Sequence, residues 1–386
     1  MDHTMLRVHK IKLNPNKSQE QYFAQACGVA RHAYNWALAE WKRQYEAGEK
    51  PSEMSLRKQY NAVKSVDFPW ALDVTKCAPQ QAIKNVGTAF RNFFRNIKQG
   101  KKTGYPKFKK KGHRDSFRAD NGPQKKGESS VKVDGKKIKL PKIGWIRMRE
   151  EVRFSGSIQS TTVSKMADGW YVSVLVETED RLQAKNDKGA VGVDLGVKTL
   201  AVLSDGTDVK GEKSQKKFLN RLRRLNKSLS RKKKGSANFK KAKTKLSKLH
   251  KRIADIREDS LHKLSNKLAT EYSVIGIEDL NVKGMVKNRC LARSISDQGF
   301  GKLRAMIEYK AVMTGSTVIV VDRWFPSSKT CHVCGTIHDL KLSDRVMNCD
   351  CGNVIDRDLN AAINLRNYAV SSTVSACGVS SSGVTL

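Results

Sequence analysis

The order of apolar and polar residues predicts one strand followed by a helical region at the start of the chain. Residues 5–13, MLRVHKIKL, alternate apolar and basic side chains, a period of two that predicts a β-strand with one basic face. Residues 18–46 change to apolar spacings of three and four, which indicates a helix. Residues 53–64 and 79–98 have the same helical period. Basic residues lie among the apolar ones in the last of these helices, so we expect the helical region to have one basic side.

The middle of the chain, from residue 103 to 180, has the pattern of short antiparallel strands. Apolar residues alternate with polar ones, and Asp-Gly pairs at residues 134–135 and 168–169 mark hairpin turns. We therefore expect a small antiparallel barrel or sheet that the N-terminal strand joins. Its Lys and Arg residues could belong to an ordinary solvated surface, but aromatic residues among them favour nucleic-acid contact, because bases stack on aromatic rings. These aromatic residues are Tyr105, Phe108 and Phe117.

Beyond a polar linker at residues 181–188 the pattern becomes α/β. Two apolar runs separated by a glycine turn, GAVGVDLGV and TLAVLSDG, predict a buried hairpin. Two later apolar runs predict buried strands at residues 272–280 and 316–322. The tail from Ser371 is rich in Ser and Gly, which predicts disorder. The predicted helices cover residues 213–270, with a break at Arg231–Gly235, then residues 296–313 and residues 358–370.

The charge balance indicates a polyanionic partner. The chain has 74 Lys and Arg against 37 Asp and Glu, a net charge of +37. Like charge of this size opposes compaction, and a neutralising partner is the simplest explanation. Nucleic acid fits better than the alternatives, a membrane surface or a merely solvated basic face. No run of about 18 apolar residues and no signal-peptide core is present, so we expect a cytoplasmic protein with no membrane segment.

The spacing of the cysteines predicts a zinc site. Four of the eight cysteines fall within residues 331–351, as a C-x-x-C pair and a C-x-C pair, each followed by a glycine that allows a tight turn. Such clustering indicates metal ligation rather than disulfides, and structural Zn²⁺ takes four thiolates in a tetrahedron. His332 and His338 are alternative ligands, although four cysteines suffice. The predicted ligands are Cys331, Cys334, Cys349 and Cys351.

Three acidic residues lie in apolar settings. Asp194 lies in GVDLG, Glu278 ends the run VIGIE, and Asp358 opens a helix after the cysteine cluster. Converging buried carboxylates repel each other unless a divalent cation compensates them, and Mg²⁺ or Mn²⁺ prefers such oxygens. Taken singly, each acid is more often a turn or cap residue. Their order along the chain is the one that an RNase H-like core requires, and Asp356 is the weaker choice for the third acid because it fits a helix cap.

Three segments together resemble the RuvC motifs of the TnpB (OrfB) proteins of insertion sequences, relatives of the type V CRISPR effectors. The segments are GVDLGVKTLAVLSDG, VIGIEDLNVKGM and CGNVIDRDLNAAINL. Further landmarks such as KLNPNKSQEQYF and FPSSKTCHVCG extend the resemblance from about residue 5 to about residue 380. The resemblance implies that Asp194, Glu278 and Asp358 form a catalytic triad. It also implies a guide RNA from the transposon end, a target DNA that pairs with it, and a short motif flanking the target.

These observations lead to an expected architecture in several parts. We expect an α/β + β fold, with an RNase H-like (RuvC) nuclease domain that contains a zinc ribbon insertion. A basic, wedge-like β-barrel with an N-terminal helical recognition region should precede it. The expected ranges are 1–13 for the first barrel strand, 14–102 for the helical region, 103–180 for the barrel, 188–326 and 354–370 for the nuclease domain, 327–353 for the zinc ribbon and 371–386 for a disordered tail.

The predicted function is RNA-guided, metal-dependent cleavage of DNA. Catalytic Mg²⁺ or Mn²⁺ and structural Zn²⁺ are the expected cofactors, and guide RNA and target DNA are the expected partners. Two alternatives stay open. One is a transposase that joins strands at transposon ends, and the other is a non-enzymatic RNA- or DNA-binding regulator. The presence of all three acids argues against the regulator, because a binding module alone does not need buried carboxylates at these positions.

Overall fold

The computed structural model describes residues 4–122, 129–179, 188–341 and 343–376. The chain divides into two compact units, Met1–Asp180 and Arg181–Leu386. The division falls at the start of the polar linker that the sequence predicts. No helix in the described ranges is both long enough and apolar enough to cross a membrane.

In its described residues, the N-terminal unit contains three α-helices and seven strands. The helix α1 (Lys17–Glu46) begins with a capping box, in which the Asn16 side chain accepts from the Gln19 amide and the Gln19 side chain accepts from the Asn16 amide. The elements are β1 (Met5–Asn14), α1 (Lys17–Glu46), α2 (Glu53–Val63), α3 (Cys77–Lys98), β2 (Ser116–Asp120), β3 (Lys132–Asp134), β4 (Lys137–Leu140), β5 (Gly144–Met148), β6 (Ser157–Met166) and β7 (Gly169–Thr178).

The seven strands form an antiparallel sheet with β1 at its centre. The strand order is β2-β6-β7-β1-β5-β4-β3. The first part of β1 pairs with β7, and Leu13 and Asn14 at its end pair with β5. The two outer strands meet at one end, where the Val131 amide donates to Asn121 Oδ1 at 2.7 Å. The predicted hairpins are present at both Asp-Gly pairs, β3–β4 and β6–β7.

Two details of this unit differ from the sequence prediction. In β1, Ile11 and Leu13 are buried, but Leu6 and Val8 lie on the opposite, exposed face together with Lys10. The prediction of one basic face was wrong, because the alternation changes phase between Val8 and Ile11 while the strand runs on without a break. The aromatic residue Phe117 was also wrongly predicted as a surface contact, since it is buried.

One hydrophobic core serves both the helices and the sheet of the N-terminal unit. Phe117 packs against Phe23 of α1, with ring centroids 6.0 Å apart, and Phe23 packs against Trp170 of β7 at 5.1 Å. Apolar residues of α1, α3 and all the longer strands belong to the same buried cluster. Helical region and sheet are therefore two layers of one folded unit.

The C-terminal unit is a mixed α/β arrangement built on five strands. The strand order is β10-β9-β8-β11-β12, with β8, β11 and β12 parallel and β9 and β10 antiparallel to their neighbours. The elements are β8 (Ala190–Asp194), β9 (Ala201–Leu203), β10 (Asp208–Val209), α4 (Ser214–Lys217), α5 (Leu219–Ser230), α6 (Ala237–Glu271), β11 (Val274–Glu278), α7 (Val282–Met285), α8 (Ala292–Gln298), α9 (Phe300–Thr314), β12 (Thr317–Val321), β13 (Val346–Asn348), β14 (Val354–Asp356) and α10 (Arg357–Ala376).

Two predicted helix limits need correction. The helix predicted at residues 296–313 is two helices, α8 and α9, because Gly299 adopts a left-handed conformation with φ of 76°. The disordered tail was predicted from Ser371, but α10 continues to Ala376. Ser372 Oγ donates to the Tyr368 carbonyl at 2.8 Å, so its hydroxyl is satisfied within the helix. Residues 377–386 of the predicted tail lie outside the described residues.

Candidate functional site

Two of the predicted acids end neighbouring parallel strands. Asp194 is the last residue of β8 and Glu278 the last residue of β11. The pairing of Ile277 with Val193 brings these two strand ends to the same level of the sheet. Because the strands are parallel, both carboxylates emerge at the same edge. Neither strand is exposed in its middle, so each acid is the first polar position after a buried run.

A pair of glycines lets α10 lie directly on these two strands. Gly192 pairs with Gly276 across β8 and β11. A Cβ atom at Gly192 would lie 1.8 Å from the Ala362 carbonyl oxygen of α10, and one at Gly276 would lie 2.4 Å from the Leu365 carbonyl oxygen. No other residue type fits this separation without a shift of the helix. Each glycine is two residues before an acid, so the close contact fixes α10 next to both carboxylates.

The third acid lies in the first turn of α10. Asp356 Oδ1 accepts from the backbone amides of Asp358 at 2.9 Å and Leu359 at 3.1 Å, which makes Asp356 the N-cap of this helix. The cap role predicted for Asp356 is therefore confirmed. The Asp358 carboxylate contacts the guanidinium of its neighbour Arg357 at 3.7 Å, and Arg357 donates to the Lys341 carbonyl at 3.0 Å.

The electrostatics of Asp194 reflect the proximity of the other acids. Burial raises the pKa of Asp194 to about 7, and the negative charges of Asp358 and Glu278 contribute in the same direction, whereas Arg357 opposes them. Burial also raises the pKa of Glu278, with a further contribution from Asp279. The structure thus brings together all three acids that the sequence analysis selected.

The four predicted cysteines also come together. Their sulfur atoms all lie within 4.8 Å of one another, with Cys334 and Cys349 sulfurs 3.4 Å apart and Cys331 and Cys351 sulfurs 3.8 Å apart. Backbone N–H groups of Cys334 and Val333 lower the pKa of the Cys331 thiol to about 5, so this group is a thiolate at neutral pH, the form that binds zinc. In the described part of the chain, no other trio of Cys, His, Asp or Glu ligand atoms is that close, so the acids form a wider arrangement.

The two histidines near the cysteines have different surroundings. His338 Nε2 lies 3.2 Å from the Cys349 sulfur, which makes it the nearer of the two alternative ligands. His332 turns away toward α10, with its Nδ1 3.0 Å from Asn360 Oδ1. The four-cysteine set therefore remains the better description of the ligand group.

Two buried asparagines of α10 connect the cysteine loop to the acidic site, and the sequence analysis missed them. Asn360 accepts from the His332 amide at 3.1 Å and donates to the Thr330 carbonyl at 2.7 Å. Asn364 donates to the Thr330 carbonyl at 2.6 Å and to the Ser327 carbonyl at 2.8 Å. Asparagines four residues apart on an otherwise apolar helix face are the signal that could have indicated them.

A charged cleft adjoins Glu278, and it too was not predicted. Asp279 accepts from Arg304 Nη1 at 2.5 Å and from Arg323 Nε at 3.1 Å, and these hydrogen bonds lower the pKa of Asp279. Glu278, Lys283 and both arginines line the cleft, whose volume is about 470 Å³. The two adjacent acids therefore differ: Asp279 pairs with two arginines, whereas no residue of the described ranges forms an ion pair with Glu278.

Fold and site define a strongly basic α/β protein with a carboxylate cluster at a sheet edge and a zinc-ribbon-like module of four cysteines. Residues 173–289 match the family model OrfB_IS605, described as "Probable transposase", and residues 300–365 match the Cas12f1-like TNB domain. Residues 1–50 match a model described as a helix-turn-helix domain, although their described part is one strand and one helix.

Similar proteins cover nearly the whole chain. A protein of Streptomyces pristinaespiralis named "Putative RNA-guided DNA endonuclease" is 36% identical over 96% of this chain and 91% of its own length. A protein of the same description from Escherichia coli K12 is 34% identical over 97% and 94%. The chain therefore belongs to the OrfB (TnpB) family, as its motifs indicated. Its fold is similar to that in the cryo-EM structure of the Cas12f1–sgRNA–target DNA complex, with a TM-score of 0.61 at 15% identity over 94% of this chain and 99% of that one.

Proposed function

We propose that this chain is a transposon-encoded, RNA-guided DNA endonuclease whose C-terminal unit is an RNase H-like (RuvC) nuclease domain. The observation that carries the proposal is the convergence of Asp194, Glu278 and Asp358 at one edge of the mixed sheet. Curated relatives named as RNA-guided DNA endonucleases support the same activity for this chain.

The topology of the C-terminal sheet supports the RNase H-like assignment. An antiparallel pair, β8 and β9, comes first along the chain, β11 adds parallel to β8, and β12 adds parallel to β11. The last helix, α10, lies across the strands that end in acids. In this assignment residues 188–326 and the segment from residue 354 form the nuclease domain, and residues 327–353 form an inserted zinc ribbon.

The acidic site fits Mg²⁺ or Mn²⁺ as its cofactor. Its donors are carboxylate oxygens, which these hard cations prefer, and burial together with neighbouring negative charges raises the pKa values of Asp194 and Glu278. We assign Asp194, Glu278 and Asp358 as the ligands. A bound divalent ion would stabilise the charge that develops on the phosphate oxygens and activate a water for hydrolysis of the phosphodiester bond.

The three acids and their neighbours have distinct tasks in this scheme. Asp194 and Glu278 are fixed by paired strands, so the distance between them changes little as substrate arrives. Asp358 is held by the N-cap hydrogen bonds of Asp356 and by its contact with Arg357. The charge of Arg357 also lowers the repulsion at Asp194. Because Glu278 and Asp358 are both near enough to Asp194 to raise its pKa, the three acids can orient a single phosphate for attack.

The cysteine module fits structural Zn²⁺. Four thiolates that close on one point leave no open coordination position, which is typical of structural rather than catalytic zinc. We assign Cys331, Cys334, Cys349 and Cys351 as its ligands. Since β13 and β14 are short, one just before and one just after the second cysteine pair, metal ligation supplies much of the stability of this module.

The N-terminal unit is proposed to bind guide RNA and the guide–target duplex. The outer face of β4 and β5 presents Lys137, Lys139 and Arg147 around the exposed ring of Trp145. Cations neutralise phosphates, and an aromatic ring between them offers a stacking surface for a base. The wedge-like barrel (residues 103–180) and the helical recognition region (residues 14–102) form this binding unit, with the first strand (residues 1–13) as part of the barrel.

The decisive experiment is guided cleavage of plasmids. Protein purified with its bound RNA should cut a plasmid that carries a matched target and flanking motif in Mg²⁺, and it should spare a mismatched one. A supplied guide of new sequence should redirect the cut, because base pairing selects the target. Equal cutting of both plasmids by RNA-free protein would contradict guiding, and strand joining at transposon ends would favour the transposase.

The acid variants test the site within the same assay. Asp194→Asn, Glu278→Gln and Asp358→Asn should each lower cleavage by about 10³-fold or more while RNA binding remains. The matched control is Asp259→Asn, an exposed acid of α6 paired with Lys263, which should cut normally. RNA binding without cleavage by the unaltered protein would favour the regulator, whereas full cleavage by Asp358→Asn would remove this residue from the ligand set.

A further inference from the structure

The loop that follows β12 presents one aromatic ring to solvent. Trp324 is 83% exposed, among the most exposed of the large apolar residues of the described chain. A lone exposed apolar residue is ordinary on a mobile surface. Tryptophan, however, usually buries its large ring area in a core or in an interface. The surroundings of this ring therefore decide whether it has a role.

The chain around Trp324 is fixed by hydrogen bonds and by packing of its neighbours, whereas the Trp324 ring itself is exposed to solvent. The Trp324 amide donates to Asp322 Oδ1 at 2.8 Å, and the neighbouring Arg323 is bonded to Asp279. On the other side, Phe325 packs against Tyr368 of α10, with ring centroids 5.1 Å apart. Both neighbours of Trp324 in the chain are thus anchored to the body of the unit. A ring presented on such a fixed loop loses little conformational entropy when it binds a flat partner.

The position of this loop links it to the acidic site. Val321, the last residue of β12, pairs with Glu278, and its carbonyl accepts from the Asp279 amide at 3.0 Å. Arg323 lines the same cleft as Glu278. Trp324 therefore follows directly after a residue of the cleft wall, at the edge of the sheet where the acids emerge.

We propose that Trp324 is a stacking site for a nucleobase of the DNA strand that enters the acidic site. This proposal rests on the proposed function. An unpaired base has a flat apolar face of the size of an indole ring, and such stacking tolerates any sequence. The occupant is single-stranded DNA because the acids next to the loop act on one phosphodiester strand at a time, and the net charge of +37 favours a polyanion over a protein partner.

The test combines three variants with one change in the DNA. Trp324→Ala should raise the KM for cleavage of a guided target by about 5- to 150-fold with kcat little changed, since stacking binds ground state and transition state alike. Trp324→Phe should restore most of the loss because it keeps an aromatic face. Val312→Ala is the control, since Val312 of α9 is 82% exposed and is not among the residues that line the cleft.

Abasic substitution separates stacking from a merely structural effect. In the strand being cut, one abasic position should raise KM for the unaltered protein and have no further effect in Trp324→Ala. Equal penalties in both proteins at every position, or a normal KM for Trp324→Ala, would overturn the proposal. Failure of the proposed function would be recognised separately, because the unaltered protein would then not cut a guided target at all.

Discussion

The cysteine site and the acidic site of the C-terminal unit differ in how their ligands are brought together. The four sulfurs come from one short segment and already lie within 4.8 Å of each other. The three carboxylates come from two strands and a helix distant along the chain, and they stay more widely spaced. Soft thiolates that close on a point suit a permanent zinc ion, whereas spaced, hard oxygens suit an exchangeable cation and a substrate.

The two sites also differ in the structural elements that hold their ligands. The cysteine ligands lie on turns and loops beside two short strands, so the metal organises its own surroundings. The acids lie at the ends of buried elements whose packing is set by the Gly192–Gly276 pair beneath α10. Local chain geometry supports the cysteine site, whereas the tertiary fold supports the acidic site. Variants of each site can test whether the two sites depend on these different supports.

The largest expected effect concerns loss of zinc. Cys331→Ser removes one thiolate of four, and because structural zinc contributes roughly 10–16 kcal/mol of apparent binding free energy, the module around residues 327–353 should lose its fold. Metal analysis should fall from about one Zn²⁺ per chain to well below that, with cleavage reduced. Cys290→Ser, at an exposed cysteine outside the cluster, is the control. Unchanged activity in a zinc-free protein would show that the module does not support Asp358.

This contrast explains how much of each site could be read from the sequence. Cysteine spacing is a local property, so all four ligands could be named in advance. Asp194 and Glu278 could be selected because each ends an apolar run, and Asp358 because it opens a helix after the cysteine cluster, but the distances between the acids depend on strand register and on the two glycines. Asn360 and Asn364 could not be assigned, since their carbonyl partners are set only by tertiary packing. In β1 the alternation of apolar and polar residues changes phase between Val8 and Ile11. A period of two therefore cannot tell which of the two apolar pairs faces the core.

A second expectation concerns pH and separates the acidic site from the cysteine site. In the metal-free protein the pKa of Asp194 is about 7, raised from 3.8 by burial and by the neighbouring acids. The folded state therefore keeps a proton that the unfolded chain releases, so stability falls as pH rises from about 4 to about 7. A cation needs the ionised form, and its stabilising effect grows over the same window.

The measurement is the Mg²⁺ concentration needed for half-maximal cleavage and for thermal stabilisation. As pH rises toward about 7, this Mg²⁺ concentration should fall by up to about tenfold per pH unit, and above about pH 7 it should level off. Arg323 and Arg304 lower the pKa of Asp279, so this acid should not contribute to the pH dependence of the Mg²⁺ requirement. In the thermal measurement Asp194→Asn should weaken this pH dependence, and the remainder should come from Glu278, whose pKa burial also raises. A Mg²⁺ requirement that is the same at low and neutral pH would mean that Asp194 is not a ligand.

The smallest expected effect concerns the hydrogen bonds that join the two sites. Asn364→Ala removes the buried side-chain donor of the Ser327 carbonyl and one of the two side-chain donors of the Thr330 carbonyl, which keeps Asn360. This change should cost about 1–3 kcal/mol of the free energy of unfolding of the C-terminal unit. The zinc ligands are untouched, so the zinc content should remain near one per chain. Asp358 is on the same helix, and a loosened helix should lower cleavage by about tenfold and raise the Mg²⁺ requirement.

Asn367→Ala provides the matched control, because Asn367 lies on the exposed side of the same helix and bonds only to its neighbour Arg366 among the side-chain contacts seen there. It should leave stability, zinc content and Mg²⁺ requirement unchanged. If Asn364→Ala lost zinc and activity together, the asparagine would serve the zinc module alone. A loss of cleavage and a higher Mg²⁺ requirement at full zinc content would instead mean that the cysteine site positions the acidic site, with α10 as the element that connects them.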